Sequence, residues 1–194
     1  MRDIYAIIHF MKKHNLAFID LETTGLDPEK HEIVEIGILI VKQVVRPGLP
    51  NELEVIDQLE LKVKPEHLET ADPEALRING YNEAEWLFAV SLEQAMKAVA
   101  DKTAEAIMVA QNIAFDWLFL EKAFVKTGVP NKMNFRRLDL ISMALAKTWG
   151  EPKLERYGLQ FLCEYYGVKN DKAHTALADI QATYEIFRKV VGLN

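Results

Sequence analysis

Three short strings carry acids and amides at spacings that could do chemistry. The first is Asp20-Leu21-Glu22-Thr23-Thr24-Gly25-Leu26. Side chains alternate across a strand, so Asp20 and Glu22 project from one face and Leu21 from the other. Two like charges roughly 4 Å apart repel by about 1 kcal/mol in water and about 4 kcal/mol at a protein-like dielectric. A divalent cation would offset that repulsion, although two solvated acids at a strand end also satisfy an isolated D-x-E spacing. The second string, Ala110-Gln111-Asn112-Ile113-Ala114-Phe115-Asp116, lies where a short apolar run passes into a helix. Asp116 falls in the first turn, where the helix dipole favours an acid, and Asn112 suits a turn or a cap. The third is His174-Thr175-Ala176-Leu177-Ala178-Asp179. Five helical positions turn through about 140°, so His174 can face the same way as Asp179 only from the helix start or just before it.

The elements that must hold these strings follow from the pattern around them. Residues 16–22 and 32–45 read as strands separated by a turn at Thr24-Gly25-Leu26-Asp27-Pro28, and residues 54–63 as a third strand after the break Arg46-Pro47-Gly48-Leu49-Pro50. Together they suggest an antiparallel meander. Asp72-Pro73-Glu74 opens a helix, and residues 91–102 have helical spacing in Leu92, Ala95, Met96 and Val99. A short strand at 106–110, a helix at 115–126 stopped by Gly128, a last strand at 137–141, and helices at 159–166 and 175–191 complete the chain. Asp139 reads as a helix cap, and Trp86, Trp117 and Trp149 as core aromatics. Strands followed by helix-strand-helix give an α/β pattern in one domain over 1–194, with a leading helical segment at 1–14 and a core at 15–192.

Asp20 with Glu22, then Asp116, then His174 with Asp179 resembles the signature of the DEDD superfamily of 3′-to-5′ exonucleases, in its histidine-containing branch (DEDDh). That branch includes the polymerase III proofreading subunit, ribonuclease T and oligoribonuclease, and the resemblance covers residues from about 16 to 187. It implies a ribonuclease H-like fold, a mixed five-stranded sheet flanked by helices, and release of nucleoside 5′-monophosphates from 3′ ends of single-stranded DNA or RNA. It implies two divalent cations, Mg²⁺ or Mn²⁺: Asp20 would bridge both, Glu22 and Asp179 would complete one site, and Asp116 would support the other. His174 would be the general base. Thr23 matches a position that holds the terminal ribose and Leu26 one that wedges beside the end base. Ile78 and Asn79 match a segment bordering the nucleotide pocket, with Asn112 counted among the substrate contacts. Two positions depart from the common pattern: Gln111 stands where many members have His, and Thr175 where many have Arg.

The chemistry of the residues agrees with that implication. Hard divalent ions prefer carboxylate oxygens, and a pair of them stabilises both the attacking and the leaving oxygen in a displacement at phosphorus. Four acids and two dications sum to zero, so an anionic phosphodiester can approach. An imidazole with an ordinary pKa of about 6.5 can take a proton near neutral pH. A module that acts by nucleic-acid binding or by polymerase association alone is the competing class, but it has no use for clustered acids.

Composition sets the outer bounds. With 49% hydrophobic and 27% charged residues the chain has the make-up of an ordinary globular protein, and its net charge of -6 argues against a nonspecific nucleic-acid coat. The sum hides a division: residues 1–121 hold 11 basic and 22 acidic side chains, residues 122–194 hold 12 and 7. Lys122, Lys126, Lys132, Arg136, Arg137, Lys147, Lys153 and Arg156 make the later part a candidate backbone-holding face, with scattered solvated cations as the alternative. The lone Cys163 cannot form an internal disulfide and reads as a buried, inert thiol, which suits a cytoplasmic protein. The leading segment lacks a cleavage site, and no apolar run reaches about 18 residues, so no membrane association is expected. His9, His14, His31 and His67 read as surface or packing residues. A polymerase or a second copy of the chain are the protein partners the resemblance allows.

Overall fold

The structure, a computed structural model, describes residues 11, 13–45, 51–152, 154–170 and 175–193. Most of the leading helical segment, the break at 46–50 and His174 lie outside the described residues. Five strands form one sheet: β1 (Leu16–Thr23), β2 (Ile33–Val44), β3 (Glu52–Lys62), β4 (Ile107–Ala110) and β5 (Arg137–Asp139), in the order β3-β2-β1-β4-β5. The first three pair antiparallel, as the expected meander, while β4 is parallel to both β1 and β5. Among the described residues the α-helices of more than one turn are α1 (Pro73–Ile78), α2 (Leu92–Lys102), α3 (Ile113–Thr127), α4 (Leu140–Lys147), α5 (Leu159–Tyr166) and α6 (Ala176–Val190). The sheet is therefore mixed and five-stranded, with helices on both faces.

Alternation along β1 divides the core. Ala17, Ile19 and Leu21 join Ile36, Ile38 and Ile40 under α2 and α3, where Met96, Val99, Phe119 and Leu120 close over them. Leu16 and Phe18, with Leu39 and Val41, face α4 to α6 and meet Leu140, Leu162, Ile180 and Phe187. Phe18 is fully buried, its ring edge-on to Tyr184 and Phe187 with centroids 5.4 and 5.2 Å away. Burying such a side chain contributes about 1.5–3 kcal/mol. On this second face the apolar stripe of β1 gives way to Asp20 and Glu22.

Close approach of α6 requires Gly37. A Cβ there would lie 2.6 Å from Ile180 Cδ1 and 2.9 Å from the Ala176 carbonyl carbon. Gly37 is the cross-strand partner of Asp20, so the space made by a missing side chain seats the helix beside an acid.

Helix starts follow local chemistry. Asp72 caps α1 with Pro73 behind it, and Ser91 and Gln94 form a reciprocal capping box on α2. The last strand is shorter than the predicted 137–141: Asp139 ends it and accepts the N–H of Ser142 at 2.9 Å, so Leu140 and Ile141 begin α4. Trp86 is buried, its indole N–H donating to the Val34 carbonyl at 2.8 Å, and Trp117 packs partly buried against the core. Trp149 is 80% exposed, which corrects its reading as a core aromatic: it follows the C-cap Thr148, past the last turn that faces the sheet. Among the described residues no helix is long and apolar enough to cross a membrane.

Candidate active site

The acids meet where β1 runs beyond its neighbour. Pairing of β1 with β4 stops at Phe18 opposite Val109, so among the described residues the next stretch of β1 has no strand on that side. Asp116, in the first turn of α3, fills the gap: its Oδ1 accepts the N–H of Leu21 at 3.1 Å. That carboxylate is only 3% exposed. From the other side of the sheet the first turn of α6 brings Asp179 over Asp20 and Glu22, and these three offer carboxylate oxygens all within 4.8 Å of one another. Asp116 stands beside this group and not within it, with one oxygen committed to the strand.

The electrostatics record the crowding. Asp20 is held well above the usual carboxylate range, first by loss of solvent and then by Asp116, Asp179, Glu22 and Glu35. Glu22 is pushed up to about 7 by burial, then by Asp179 and Glu35. Burial also raises Asp116, against the backbone N–H groups that lower it. All of the causes acting on Asp20 and Glu22 oppose ionisation, so a divalent cation among hard oxygen donors is the ligand that offsets them. The donor set thus fits a hard divalent cation.

Two side chains at this site carry no signature in the three strings. Asn170, before α6, donates its amide N–H to Asp179 Oδ1 at 2.6 Å, while its own Oδ1 is buried without a hydrogen-bond partner among the described residues. Glu35 lies opposite Glu22 across β1 and β2 and is 4% exposed. An acid inside the apolar run 33–41 was the sequence signal that could have singled out Glu35, because an unexplained buried charge is costly.

The substrate candidates group around the turn after β1. Thr23 is buried, and its hydroxyl donates to the Gly25 carbonyl at 2.7 Å, closing the turn. Asn79 is buried too, and its amide donates to the Thr23 carbonyl at 3.0 Å, tying the end of α1 to the end of β1. Leu26 and Ile78, on the two segments so joined, are 79% and 43% exposed. The His31 ring packs at Gly25 and its Nδ1 accepts the Asp27 N–H at 2.9 Å, a turn-bracing role within its packing reading. Asn112 has a left-handed backbone with φ 62° and makes no side-chain cap; the N–H of Ile113 goes instead to Asp139 Oδ1 at 3.2 Å. Gln111 donates to the Tyr157 carbonyl at 2.7 Å, a contact across to the segment before α5. Thr175, its hydroxyl accepting the Ala178 N–H, caps α6 immediately after His174, which lies outside the described residues.

A second group, Glu32, Glu66 and His67, also brings ligand-type atoms together. Its chemistry is already answered. Glu32 Oε2 accepts the N–H groups of Glu66 and His67, both at 2.8 Å, and Lys126 lies 2.8 Å from Glu66 and 3.7 Å from Glu32.

The chain as a whole resembles known proteins. The family model for ribonuclease T-type exonucleases matches residues 17–187. Ribonuclease T of Buchnera aphidicola subsp. Baizongia pistaciae is 27% identical over 192 residues, covering 90% of this chain and 82% of that protein. The PolC-type DNA polymerase III of Thermotoga maritima is 27% identical over 175 residues, covering 90% of this chain but only 12% of the polymerase. Escherichia coli exonuclease I in complex with a dT13 oligonucleotide superposes with a TM-score of 0.73 at 17% identity, covering 92% of this chain and 41% of that one. The same enzyme has been seen in a zinc-bound form with single-stranded DNA. The chain thus spans most of ribonuclease T and a minor part of the other two. Matched from its first strand to its last helix, it belongs to the ribonuclease T-type exonuclease family.

Proposed function

We propose that the chain is a 3′-to-5′ exonuclease that removes nucleoside 5′-monophosphates from the 3′ end of single-stranded DNA or RNA. The observation that carries this reading is the approach of Asp20, Glu22 and Asp179 from two elements, with oxygens within 4.8 Å, backed by the buried Asp116. Two divalent cations, Mg²⁺ or Mn²⁺, would supply Lewis acidity at the phosphodiester and at the attacking water. Asp20 would bridge them, with Glu22 and Asp179 completing one position and Asp116 supporting the other. His174, one residue before the α6 cap, would take the proton of the attacking water. Water would form the new bond to phosphorus as the bond from phosphorus to the 3′ oxygen breaks, and that oxygen would take up a proton from solvent, leaving the shortened strand with a 3′ hydroxyl.

Positioning falls to the turn after β1. Thr23 would meet the terminal ribose through its main chain, since its hydroxyl is used within the turn. Leu26 and Ile78 offer exposed apolar contacts to the end base, Asn79 supports Thr23, and Asn112 borders the site from the start of α3. The relatives include a ribonuclease and a DNA polymerase, so both sugars belong to the proposal. A polymerase or a second copy of the chain would be the protein partner of a cytoplasmic enzyme of this kind. A pure binding module is disfavoured by the cost of crowding four acids with no cation to offset them.

The test is digestion of 5′-labelled single strands alongside a circular single strand. A ladder shortening from the 3′ end, with mononucleotide products and an intact circle, is expected. Cutting of the circle would contradict the exonuclease reading.

A further inference from the structure

β2 is apolar from Ile33 to Val41 except at Glu35 and Gly37, and both stand on the face that bears Asp20 and Glu22. Glu35 pairs across the strands with Glu22, and Gly37 with Asp20. A carboxylate buried beside other acids needs a compensating contact. Glu35 has one: its Oε1 accepts the backbone N–H of Ala176, the first residue of α6, at 3.0 Å. The first N–H groups of a helix lack partners within it, and the helix dipole favours an anion there. Two residues along, Gly37 admits Ala176 and Ile180 against the strand. The same turn of α6 carries Asp179.

We propose that Glu35 is a positioning residue: its bond to the Ala176 N–H seats the first turn of α6 on β2 and so fixes where Asp179 reaches Asp20 and Glu22. It acts through the helix and does not hold the metal itself. Its charge adds to the repulsion on both Asp20 and Glu22, so the useful property is the acceptor at the right reach.

This inference rests on Asp179 being a metal ligand, and two variants separate reach from charge. Glu35→Gln keeps a carbonyl oxygen at the same distance and loses the charge. Glu35→Asp keeps the charge and falls one methylene short. Each is compared with the wild type by the rise in melting temperature when Mn²⁺ is added to metal-free protein, and by kcat and KM on a single-stranded oligonucleotide. Glu35→Gln should stay close to wild type. Glu35→Asp should lose most of the Mn²⁺-dependent rise and drop roughly 10- to 100-fold in kcat, the scale of a small misplacement, with KM unchanged. Wild-type behaviour of Glu35→Asp, or a loss in Glu35→Gln as large as in Glu35→Asp, would overturn the proposal while leaving the metal site standing. Absence of any Mn²⁺-dependent rise in the wild type would overturn the metal reading and this inference together.

Discussion

Asp116 accepts the N–H of Leu21, the residue between Asp20 and Glu22, at 3.1 Å. One acid of the site thereby fixes the strand that presents two others, linking α3 to β1 at the point where β4 has ended. Its structural and electrostatic parts can be separated. Asp116→Asn keeps an acceptor and loses the charge, so it should fold normally and cleave roughly 10- to 100-fold more slowly. Asp116→Ala leaves the Leu21 N–H buried and unpaired, at a further cost of about 1–3 kcal/mol of stability. Chemical denaturation paired with an oligonucleotide assay distinguishes the two; equal stability of both variants would remove the bracing role.

Metal-free stability should depend on pH through Glu22. Folded, this group titrates at about 7, against a reference of 4.5. Between those values the folded chain holds a proton that the unfolded chain has released, so stability falls as pH rises through the window and levels off above it. Thermal melts in a chelator from pH 4 to 8 should show a steeper decline for the wild type than for Glu22→Gln, and Mn²⁺ at neutral pH should restore what was lost. Identical slopes for the two proteins would contradict the assignment.

The turn after β1 offers a contrast between surface and support. Leu26→Ala removes a 79% exposed side chain, so stability should change by less than about 0.5 kcal/mol while KM rises. Asn79→Ala frees the buried Thr23 carbonyl and should cost about 1–3 kcal/mol, with cleavage falling as the turn loosens. Denaturation curves and steady-state kinetics on both variants check the pair. A destabilised Leu26→Ala or a fully stable Asn79→Ala would reverse these roles.

Much of this was legible in the sequence for physical reasons. Period-two alternation placed Asp20 and Glu22 on one face, and an apolar strand running into a helix placed Asp116. What escaped depends on contacts between distant segments. Glu35 and Ala176 are 141 positions apart, and no local pattern joins them. The basic excess of residues 122–194 suggested a nucleic-acid face, yet Lys122 pairs with Glu29 at 2.6 Å, Lys126 with Glu66 and Lys132 with Asp101. Arg137 lies over the Trp117 ring. Part of the charge division is therefore internal complementarity between the two stretches. Asp139 was legible as a cap for its own helix, but its second bond, to Ile113 at the head of α3, was not.

Cys163 is 6% exposed and burial raises its thiol above the ordinary range. Thiolate is the reactive form, so iodoacetamide should leave the native protein unmodified over a time in which the urea-unfolded chain is fully alkylated. Mass spectrometry reads the outcome; rapid native alkylation would contradict the buried, inert assignment.

The central claim is that clustered carboxylates hold the cations that drive cleavage from a 3′ end. The most direct measurement digests 5′-labelled single-stranded DNA and RNA side by side with wild-type and Asp20→Ala protein, in Mg²⁺, in Mn²⁺ and in EDTA. The account predicts progressive 3′ shortening by the wild type with either metal, and no shortening in EDTA or by Asp20→Ala. Undiminished cleavage by Asp20→Ala, or by the wild type in EDTA, would contradict it.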